Sequence, residues 1–248
     1  MKVVYHQRFT RVYENDPAAE PGRMEDIISE LAGFEIIEPE SASLDDILLC
    51  HTPSHLSYVQ KYGSVFETAM LAAGGAIKAA ELGSQGQAAF AAIRPPGHHA
   101  SADSCWGFCF FNNMAIALSR LLEDGKIGSA LVLDFDLHFG DGTANIFLAN
   151  PAVTYFHPED GNRQEFVDHV ERFLDQNKSD IIAVSAGFDR HIEDWGKLLT
   201  TEDYRTIGKA VKGYALKNCN GRRFGVLEGG YNHLVLGQNV RAFLEGMA

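Results

Sequence analysis

The stretch Val132-Leu-Asp-Phe-Asp-Leu-His-Phe-Gly-Asp-Gly142 begins as a buried strand and then becomes strongly polar. Its first residues continue an apolar run of the kind that fills the interior of a sheet. The next eight residues bring three carboxylates, Asp134, Asp136 and Asp141, and one histidine, His138. Buried charges must be paired or bound to a metal. The stretch therefore predicts a functional site at the end of a buried strand.

Short apolar runs alternate with segments of helical periodicity along the rest of the chain. This alternation predicts an α/β fold with a central, mainly parallel sheet and helices on both faces. The 248 residues contain no repeat, low-complexity tract or linker, which predicts a single domain over residues 1–248. The predicted strands are Lys2–His6, Phe34–Ile37, Ala88–Ile93, Ser129–Asp136, Val153–Phe156, Asp180–Ser185 and Arg223–Leu227. The predicted helices are Met24–Ala32, Ser54–Tyr62, Phe66–Leu82, Asn112–Glu123, Gln164–Gln176, Thr201–Lys217 and Asn232–Gly246.

The composition excludes several classes of protein. A net charge of −12 without a basic stripe argues against nucleic-acid binding, although it is compatible with a cationic substrate. No apolar segment approaches the length of a membrane span, and the N-terminal sequence lacks the apolar stretch of a signal peptide. The four cysteines are irregularly spaced, and we expect them to be reduced. These features predict a cytoplasmic protein that binds neither nucleic acid nor membrane.

Polar clusters follow four of the predicted strands. The clusters are His98-His99, the segment Asp134–Asp141, Asp189, and Glu228-Gly-Gly-Tyr231. In parallel α/β sheets, functional groups collect beyond the carboxyl ends of the strands. We therefore expect these four segments to form one site.

The spacing of Asp136 and His138 suits a metal. In an extended chain, side chains two residues apart point the same way. A carboxylate beside an imidazole suits zinc, whose catalytic sites use three protein ligands, and Asp189 is the best-placed third ligand. The alternative is that Asp136 hydrogen-bonds His138 and caps the next helix, while Asp189 caps another. The two interpretations are evenly matched for this pair alone, and the other polar clusters favour the metal site.

The segment Arg94-Pro-Pro-Gly-His-His99 predicts a stiff loop. Two prolines fix the backbone and the glycine permits a tight turn, so the two histidines are held in place. Asp134 and Asp141 remain available to hydrogen-bond an imidazole, which fixes its tautomer and raises its basicity. This is the arrangement expected of a general base beside a metal site.

Five motifs together resemble the zinc-dependent histone deacetylase family, which includes acetylpolyamine amidohydrolases and has an arginase-like α/β fold. The motifs occur in the family's order and cover most of the chain. They are Arg94-Pro-Pro-Gly-His-His99, Gly107-Phe-Cys-Phe-Phe-Asn-Asn113, Asp134-Phe-Asp-Leu-His-Phe-Gly-Asp-Gly142, Ala186-Gly-Phe-Asp189 and Glu228-Gly-Gly-Tyr231. The resemblance implies removal of an acetyl or other acyl group from an amine such as acetyl-lysine or an acetylated polyamine.

The resemblance also implies roles for individual residues. It implies one zinc ion per chain, with ferrous iron as the alternative, bound by Asp136, His138 and Asp189. It makes His99 the general base and His98 its electrostatic partner, oriented by Asp141 and Asp134 respectively. Tyr231 would donate its hydroxyl to the substrate carbonyl, where negative charge develops.

Further residues match the family's substrate channel. Gly107 and Phe108 resemble a wall of the tunnel that holds the acyl-amine. Arg23 resembles the arginine behind the catalytic pocket, where released acetate passes; the alternative is a surface arginine at a helix start.

The family often holds a structural potassium ion near the same strand end. Asp134, Asp136 and His138 would supply its oxygens. Tyr155, however, stands where a serine hydroxyl is often found.

Two rival functions remain open. One is a binuclear manganese hydrolase of the arginase type, but Gly140 and His191 stand where that class needs bridging carboxylates. The other is a binding protein that keeps the pocket without the chemistry. The presence of both histidines, the tyrosine and all three ligands argues against a silent binder.

The interval Pro158–Phe188 is shorter than in the family, where part of it forms one wall of the tunnel. Only Pro158–Arg163 remains outside the predicted helix to build that wall. The sequence therefore predicts a channel that is open on this side, unless a neighbouring subunit of an oligomer or the segment Arg190–Leu199, with Trp195, closes it. An open channel implies a high KM for acetyl-lysine peptides and tolerance of bulkier acyl-amines.

Overall fold

A sheet of seven strands organises the computed structural model, which describes residues 1–158 and 161–248. The strands are β1 (Lys2–Val4), β2 (Glu35–Ile37), β3 (Ala89–Ala91), β4 (Ala130–Asp134), β5 (Val153–Phe156), β6 (Ile181–Ala186) and β7 (Arg223–Leu227). All neighbouring pairs are parallel, in the order β2-β1-β3-β7-β6-β4-β5. The predicted parallel sheet is therefore confirmed, and it is wholly rather than mainly parallel.

Nine α-helices within the described residues connect and cover the strands. They are α1 (Arg23–Glu30), α2 (Leu44–Leu48), α3 (Pro53–Val59), α4 (Ser64–Ser84), α5 (Asn113–Glu123), α6 (Asp141–Phe147), α7 (Arg163–Gln176), α8 (Thr201–Asn218) and α9 (His233–Met247). Helices α4 and α5 pack together on one face of the sheet, while α8 packs against α9 and α7 on the other. None of the described helices combines the length and the hydropathy needed to cross a lipid bilayer.

The core runs continuously from the central strands into both helical layers, so the chain forms one domain. Strands β4 and β6 are buried along their whole length. A parallel strand that is covered on both faces reads as an unbroken apolar run. This is why Ala130-Leu-Val-Leu133 and Ile181-Ile-Ala-Val184 were recognisable as strands in the sequence.

Three local differences from the predicted elements bear on the site. Strand β4 ends at Asp134, and the chain bends over residues 136–138 instead of continuing extended to Asp136. Helix α6, which begins at Asp141, and helix α2 were not predicted. Both helices have no more than seven residues, which is too short to show a helical period of apolar residues.

The strand order brings the predicted site segments together. Strands β3, β7, β6 and β4 are consecutive neighbours in the sheet. The polar clusters of the sequence follow these same four strands, and parallel strands place their carboxyl ends at one edge. The four segments therefore meet at that edge.

Candidate active site

The three predicted metal ligands, Asp136, His138 and Asp189, lie together beyond the ends of β4 and β6. One potential ligand atom from each lies within 4.8 Å of the other two. The Nδ1 atom of His138 is 3.3 Å from Asp136 Oδ1 and 3.4 Å from Asp189 Oδ2. Both carboxylates are buried, and His138 is half-buried. In residues 1–158 and 161–248, no other group of three histidine, cysteine or acidic side chains has this geometry.

Backbone N–H groups hold the two carboxylates in place. Asp136 Oδ1 accepts from the amide of His138 (2.9 Å), and its Oδ2 accepts from the amide of Gly229 (2.8 Å). Asp189 Oδ1 accepts from the amide of Leu137 (3.0 Å). A Cβ atom on Gly229 would press against the carboxylates of both aspartates, so only glycine fits there. The ligands thus converge through a bend of the chain, whereas the sequence argument assumed an extended strand.

The donors fit a divalent metal ion. Asp189 Oδ2 is buried without a hydrogen-bond partner, which is costly for a carboxylate oxygen unless a cation satisfies it. The contacts of its imidazole with the carboxylates of Asp136, the larger effect, and of Asp189 raise the pKa of His138 to about 10. Burial, together with the nearby charge of Asp136, raises the pKa of Asp189 to about 6. Two carboxylates and one imidazole nitrogen at these distances are a donor set that zinc accepts.

The histidine pair lies on the loop after β3 and makes both of the predicted contacts. His99 Nδ1 is 2.6 Å from Asp141 Oδ1, and His98 Nδ1 is 3.1 Å from Asp134 Oδ2. The centres of the two imidazole rings are 4.1 Å apart. Asp141 is the first residue of α6, so the start of this helix fixes the carboxylate that orients His99.

The two imidazoles have opposite pKa shifts. Burial and the neighbouring charge of His98 lower the pKa of His99, against the opposing effect of Asp141. Burial alone would also lower the pKa of His98, but the charges of Asp136 and Asp134 outweigh it and raise this pKa. The pKa shifts therefore keep His98 protonated and leave His99 neutral, so His99 is the member of the pair with a free nitrogen to accept a proton.

Glu228 supports the histidine loop, a role that the sequence argument missed. Its buried carboxylate accepts hydrogen bonds from the amides of Gly97 (2.7 Å) and His98 (3.2 Å) and from the hydroxyl of Ser185 (3.3 Å). Burial raises the pKa of Glu228 to about 7, although the charge of His98 and the Gly97 amide oppose the shift. A glutamate directly after an apolar strand was the signal available in the sequence.

Tyr231 lines the same cavity as the histidine pair. Its backbone amide donates to Asp194 Oδ2 (2.8 Å), and its ring stacks on Trp195 with centroids 4.0 Å apart. Phe108 meets the same ring edge-on at 6.1 Å. Burial and the charges of Asp136 and Asp189 raise the pKa of Tyr231 well above its usual value. The hydroxyl therefore stays protonated and can donate a hydrogen bond.

Arg23 lies behind Tyr231 and is completely buried, so the alternative of a surface arginine is wrong. Its Nε donates to the carbonyl of Gly230 (2.9 Å), and its Nη2 donates to the carbonyl of Glu228 (2.7 Å). The guanidinium carbon is 5.8 Å from the centre of the Tyr231 ring. Its Nη1 is buried without a hydrogen-bond partner and is available to an anion.

The residues described above surround a cavity of about 130 Å³. Its lining residues are Pro96, His98, His99, Trp106, Gly107, Phe108, His138, Trp195, Gly229 and Tyr231. Gly107 adopts a left-handed conformation (φ +59°), and a side chain there would run into the ring of His99. Gly107 and Phe108 thus lie at the wall where the sequence placed them.

Two tryptophans complete the wall of the cavity. The ring of Trp106 lies 3.9 Å from that of His99, and its Nε1 donates to Asp141 Oδ2 (3.0 Å). Trp195 stands edge-on to His138 at 6.2 Å. Trp195, from the segment considered in sequence as a closure of the channel, therefore lines the cavity, while an opening on the side of Pro158–Arg163 stays a prediction. Part of that short segment lies outside the described residues. Trp106 was not identified from the sequence.

Comparison with known proteins identifies the family. The model of the histone deacetylase domain matches residues 62–162 and 157–247. A probable deacetylase from Archaeoglobus fulgidus is 33% identical over 93% of this chain and 81% of its own length. A probable deacetylase from Methanothermobacter thermautotrophicus is 31% identical over 85% of this chain and 78% of its own. The crystal structure of the HDA15 HD domain shares the fold, with a TM-score of 0.84 at 23% identity over 100% of this chain and 90% of that one. The chain belongs to the histone deacetylase family.

Proposed function

We propose that this protein hydrolyses the amide bond of an acylated amine with one metal ion per chain, held by Asp136, His138 and Asp189. Family membership supports a deacetylase that acts on acylated amines. One observation carries the finer proposal. A cluster of three ligands, one of which has a buried oxygen that accepts no hydrogen bond, lies beside two histidines, each of which contacts its own carboxylate.

Zinc is the proposed metal, and ferrous iron is the alternative because the same donors accept both. Lewis-acid activation of water and of the amide carbonyl is what such an ion supplies when bound. The two carboxylate ligands are held by the amides of Leu137, His138 and Gly229, so their positions are set before any metal binds. Preorganised ligands need no rearrangement on binding.

His99 is the proposed general base. Its Nδ1 faces Asp141, which leaves Nε2 to accept a proton from the attacking water and to pass it to the departing amine. His98 is the proposed electrostatic partner. Its Nδ1 is bonded to Asp134, and its Nε2 is 3.7 Å from Asp136 Oδ1.

Tyr231 is the proposed hydrogen-bond donor to the carbonyl oxygen. A fixed donor is most valuable where negative charge develops during the reaction. The ring is held by Trp195 on one face and by Phe108 at its edge, so few side-chain conformations remain open to it. Arg23, with one unpaired nitrogen behind this ring, is proposed to guide the released acetate.

Two rival functions receive less support. An arginase-type pair of metals would need further oxygen ligands beside Asp189, but His191 faces another way. Its Nδ1 accepts from the amide of Glu193, and its Nε2 lies near the hydroxyl of Thr201. A silent acyl-amine binder would not require the two oriented histidines.

The test is a screen of the purified, zinc-loaded protein against acetyl-lysine peptides, acetylpolyamines and small acetylated amines. Acetate release and the metal content per chain are measured together. We expect turnover of at least one class of substrate at one metal per chain. Two tightly bound metals per chain would support the arginase alternative. Saturable binding of an acyl-amine without acetate release would support the silent binder.

A further inference from the structure

Arg190 lies buried beneath residues 135–139, a segment that we call the ligand loop. Its Nε donates to the carbonyl oxygen of Asp136 (3.0 Å), and one Nη donates to that of Leu137 (3.3 Å). The guanidinium also lies over the ring of Phe166, 4.8 Å from its centre. A fixed positive charge of the protein itself therefore contacts the carbonyl oxygens of the ligand loop.

One of these two residues, Asp136, is among the three to which the family resemblance assigned a potassium ion. The carbonyl oxygen of Asp136 also lies 2.9 Å from His157 Nε2, and that nitrogen is 3.3 Å from an Nη of Arg190. Asp134 Oδ2 accepts from the Tyr155 hydroxyl (2.9 Å) and is 3.1 Å from His98 Nδ1. Asp134 Oδ1 accepts from the amide of Asp136 (3.1 Å). These oxygens of Asp134 and Asp136 therefore already have polar partners.

Tyr155 stands where the resemblance expects a serine. Its hydroxyl donates to Asp134 and accepts from the amide of Gly140 (2.8 Å). The ring is packed edge-on against Phe139, 5.5 Å away. Because a tyrosine is much longer than a serine, its hydroxyl reaches the carboxylate directly, without an ion between them.

We propose that the guanidinium of Arg190 and the hydroxyl of Tyr155 take the place of the potassium ion, so that the ligand loop is held without K⁺. A potassium site is a set of oxygens that replaces the hydration shell of the ion. In this chain, nitrogen and hydroxyl donors occupy the side-chain oxygens of Asp134 and the carbonyl oxygen of Asp136. The inference rests on the proposed function in taking Asp136 and His138 as metal ligands. Arg190 is then a positioning residue for them.

The first experiment measures thermal unfolding of the intact protein in KCl, NaCl and choline chloride at equal ionic strength. It is done on the zinc-loaded protein and repeated after chelation. We expect the same midpoint in all three salts. A midpoint that rises with K⁺ in a saturable way, and not with Na⁺ or choline, would overturn the proposal. Neither measurement depends on turnover, so failure to find a deacetylase substrate would leave its result intact.

The second experiment removes the guanidinium. Arg190→Met keeps an unbranched side chain but leaves the two carbonyl groups of the ligand loop without this donor. We expect zinc affinity, measured by competition with a chelator, to fall on the order of tenfold to a hundredfold, the usual effect of losing a contact that orients ligands. Arg190→Lys, which keeps the charge, should restore part of the affinity. Arg172→Met, at an exposed arginine of α7, is the matched control and should bind zinc normally.

The third experiment recreates space for the ion. The double variant Arg190→Met/Tyr155→Ser frees oxygens of Asp134 and Asp136, and we expect its unfolding midpoint to become dependent on K⁺. Two results together would show that Arg190 has no such role. Arg190→Met would bind zinc as tightly as the parent, and the unfolding midpoint of the double variant would not change with K⁺. If the variants fail to fold, the comparison of salts on the parent protein still decides whether potassium is used.

Discussion

The floor and the rim of the cavity are stabilised by different forces. The floor consists of the ionisable groups of the proposed metal site and its chemistry, namely His98, His99, Asp134, Asp136, His138, Asp141, Asp189, Glu228 and Tyr231. Hydrogen bonds to backbone amides or to neighbouring carboxylates hold such groups in place, as for Asp136 and His98. The rim consists of aromatic rings on loops, where Trp106 is 56% exposed and Trp195 is 48% exposed. Catalytic groups must be positioned to within a fraction of an ångström. The rings of the rim need only offer contact area to the substrate. Changes in the floor should therefore affect metal retention and kcat, and changes in the rim should affect KM.

The largest effect is expected from Asp189→Ala. This change removes the carboxylate with the unpaired oxygen, so metal retention and activity should both be lost while the fold survives. Elemental analysis, acetate release and circular dichroism check the three parts of this prediction. Asp175→Ala, at an exposed aspartate of α7, is the control. Full metal content in Asp189→Ala would show that the proposed ligand set is wrong.

Two substitutions should separate the chemistry from metal binding within the floor. His99→Ala and Tyr231→Phe should each retain one metal per chain and lower kcat on the order of a hundredfold or more, as for a lost base or oxyanion donor. Steady-state kinetics with paired metal analysis measures this. Turnover at the parent rate in either variant would remove that residue from the proposed mechanism.

Most of the floor could be predicted from the sequence because its chemistry restricts both residue type and position. The pairs His98–Asp134 and His99–Asp141 are found as expected. The convergence of the three ligands was also expected, but for a partly wrong reason. Asp136 and His138 face one another because the chain bends after β4, and a sequence pattern does not report such a bend.

The rim could not be predicted in the same way. Trp106 is a functional candidate only because the fold places it over His99. Trp195 was considered from the sequence as a residue that could close the channel, but its stacking on Tyr231 could not be predicted because no fixed spacing links the two. Arg190 is a comparable case, because a charged residue after Asp189 gives no sign in sequence that it will be buried under the ligand loop. Among the elements of the fold, the long apolar strands were readable. The short helices α2 and α6 were not.

Glu228 belongs to the floor, and its carboxylate contacts the loop that carries the histidines and the hydroxyl of Ser185. Glu228→Ala leaves the amides of Gly97 and His98 without an acceptor, which should lower the free energy of unfolding by about 1–3 kcal/mol. It should also lower kcat while the metal content stays unchanged. Glu228→Gln keeps an acceptor oxygen and should recover most of both losses.

Chemical denaturation and steady-state kinetics measure these effects of the Glu228 substitutions. Glu171→Ala, at an exposed glutamate of α7, provides the baseline. Equal losses in Glu228→Ala and Glu228→Gln would indicate that the charge matters and not the hydrogen bonds.

The smallest effect is expected at the rim, from Trp195→Ala. The sequence alone predicted an open channel and a high KM. With Trp195 in the wall, we expect those properties in this variant and not in the parent protein. Loss of one aromatic contact with the substrate should cost about 1–2 kcal/mol, or roughly fivefold to thirtyfold in KM. The KM for bulkier acyl-amines should rise less than the KM for linear ones, because the opened side of the cavity accommodates the bulkier substrates.

Trp195 also stacks on Tyr231, so kcat is the quantity that tests the separation of rim from floor. Trp195→Phe keeps an aromatic ring against the tyrosine and serves as the control for that stacking. We expect Trp195→Phe to keep the parent kcat and most of the parent KM, and Trp195→Ala to raise KM with kcat within a few-fold of the parent. A collapse of kcat in Trp195→Ala that Trp195→Phe restores would mean that this rim residue positions Tyr231. Trp195 would then affect kcat as the floor residues do, and the assignment of KM effects to the rim would be wrong for this residue.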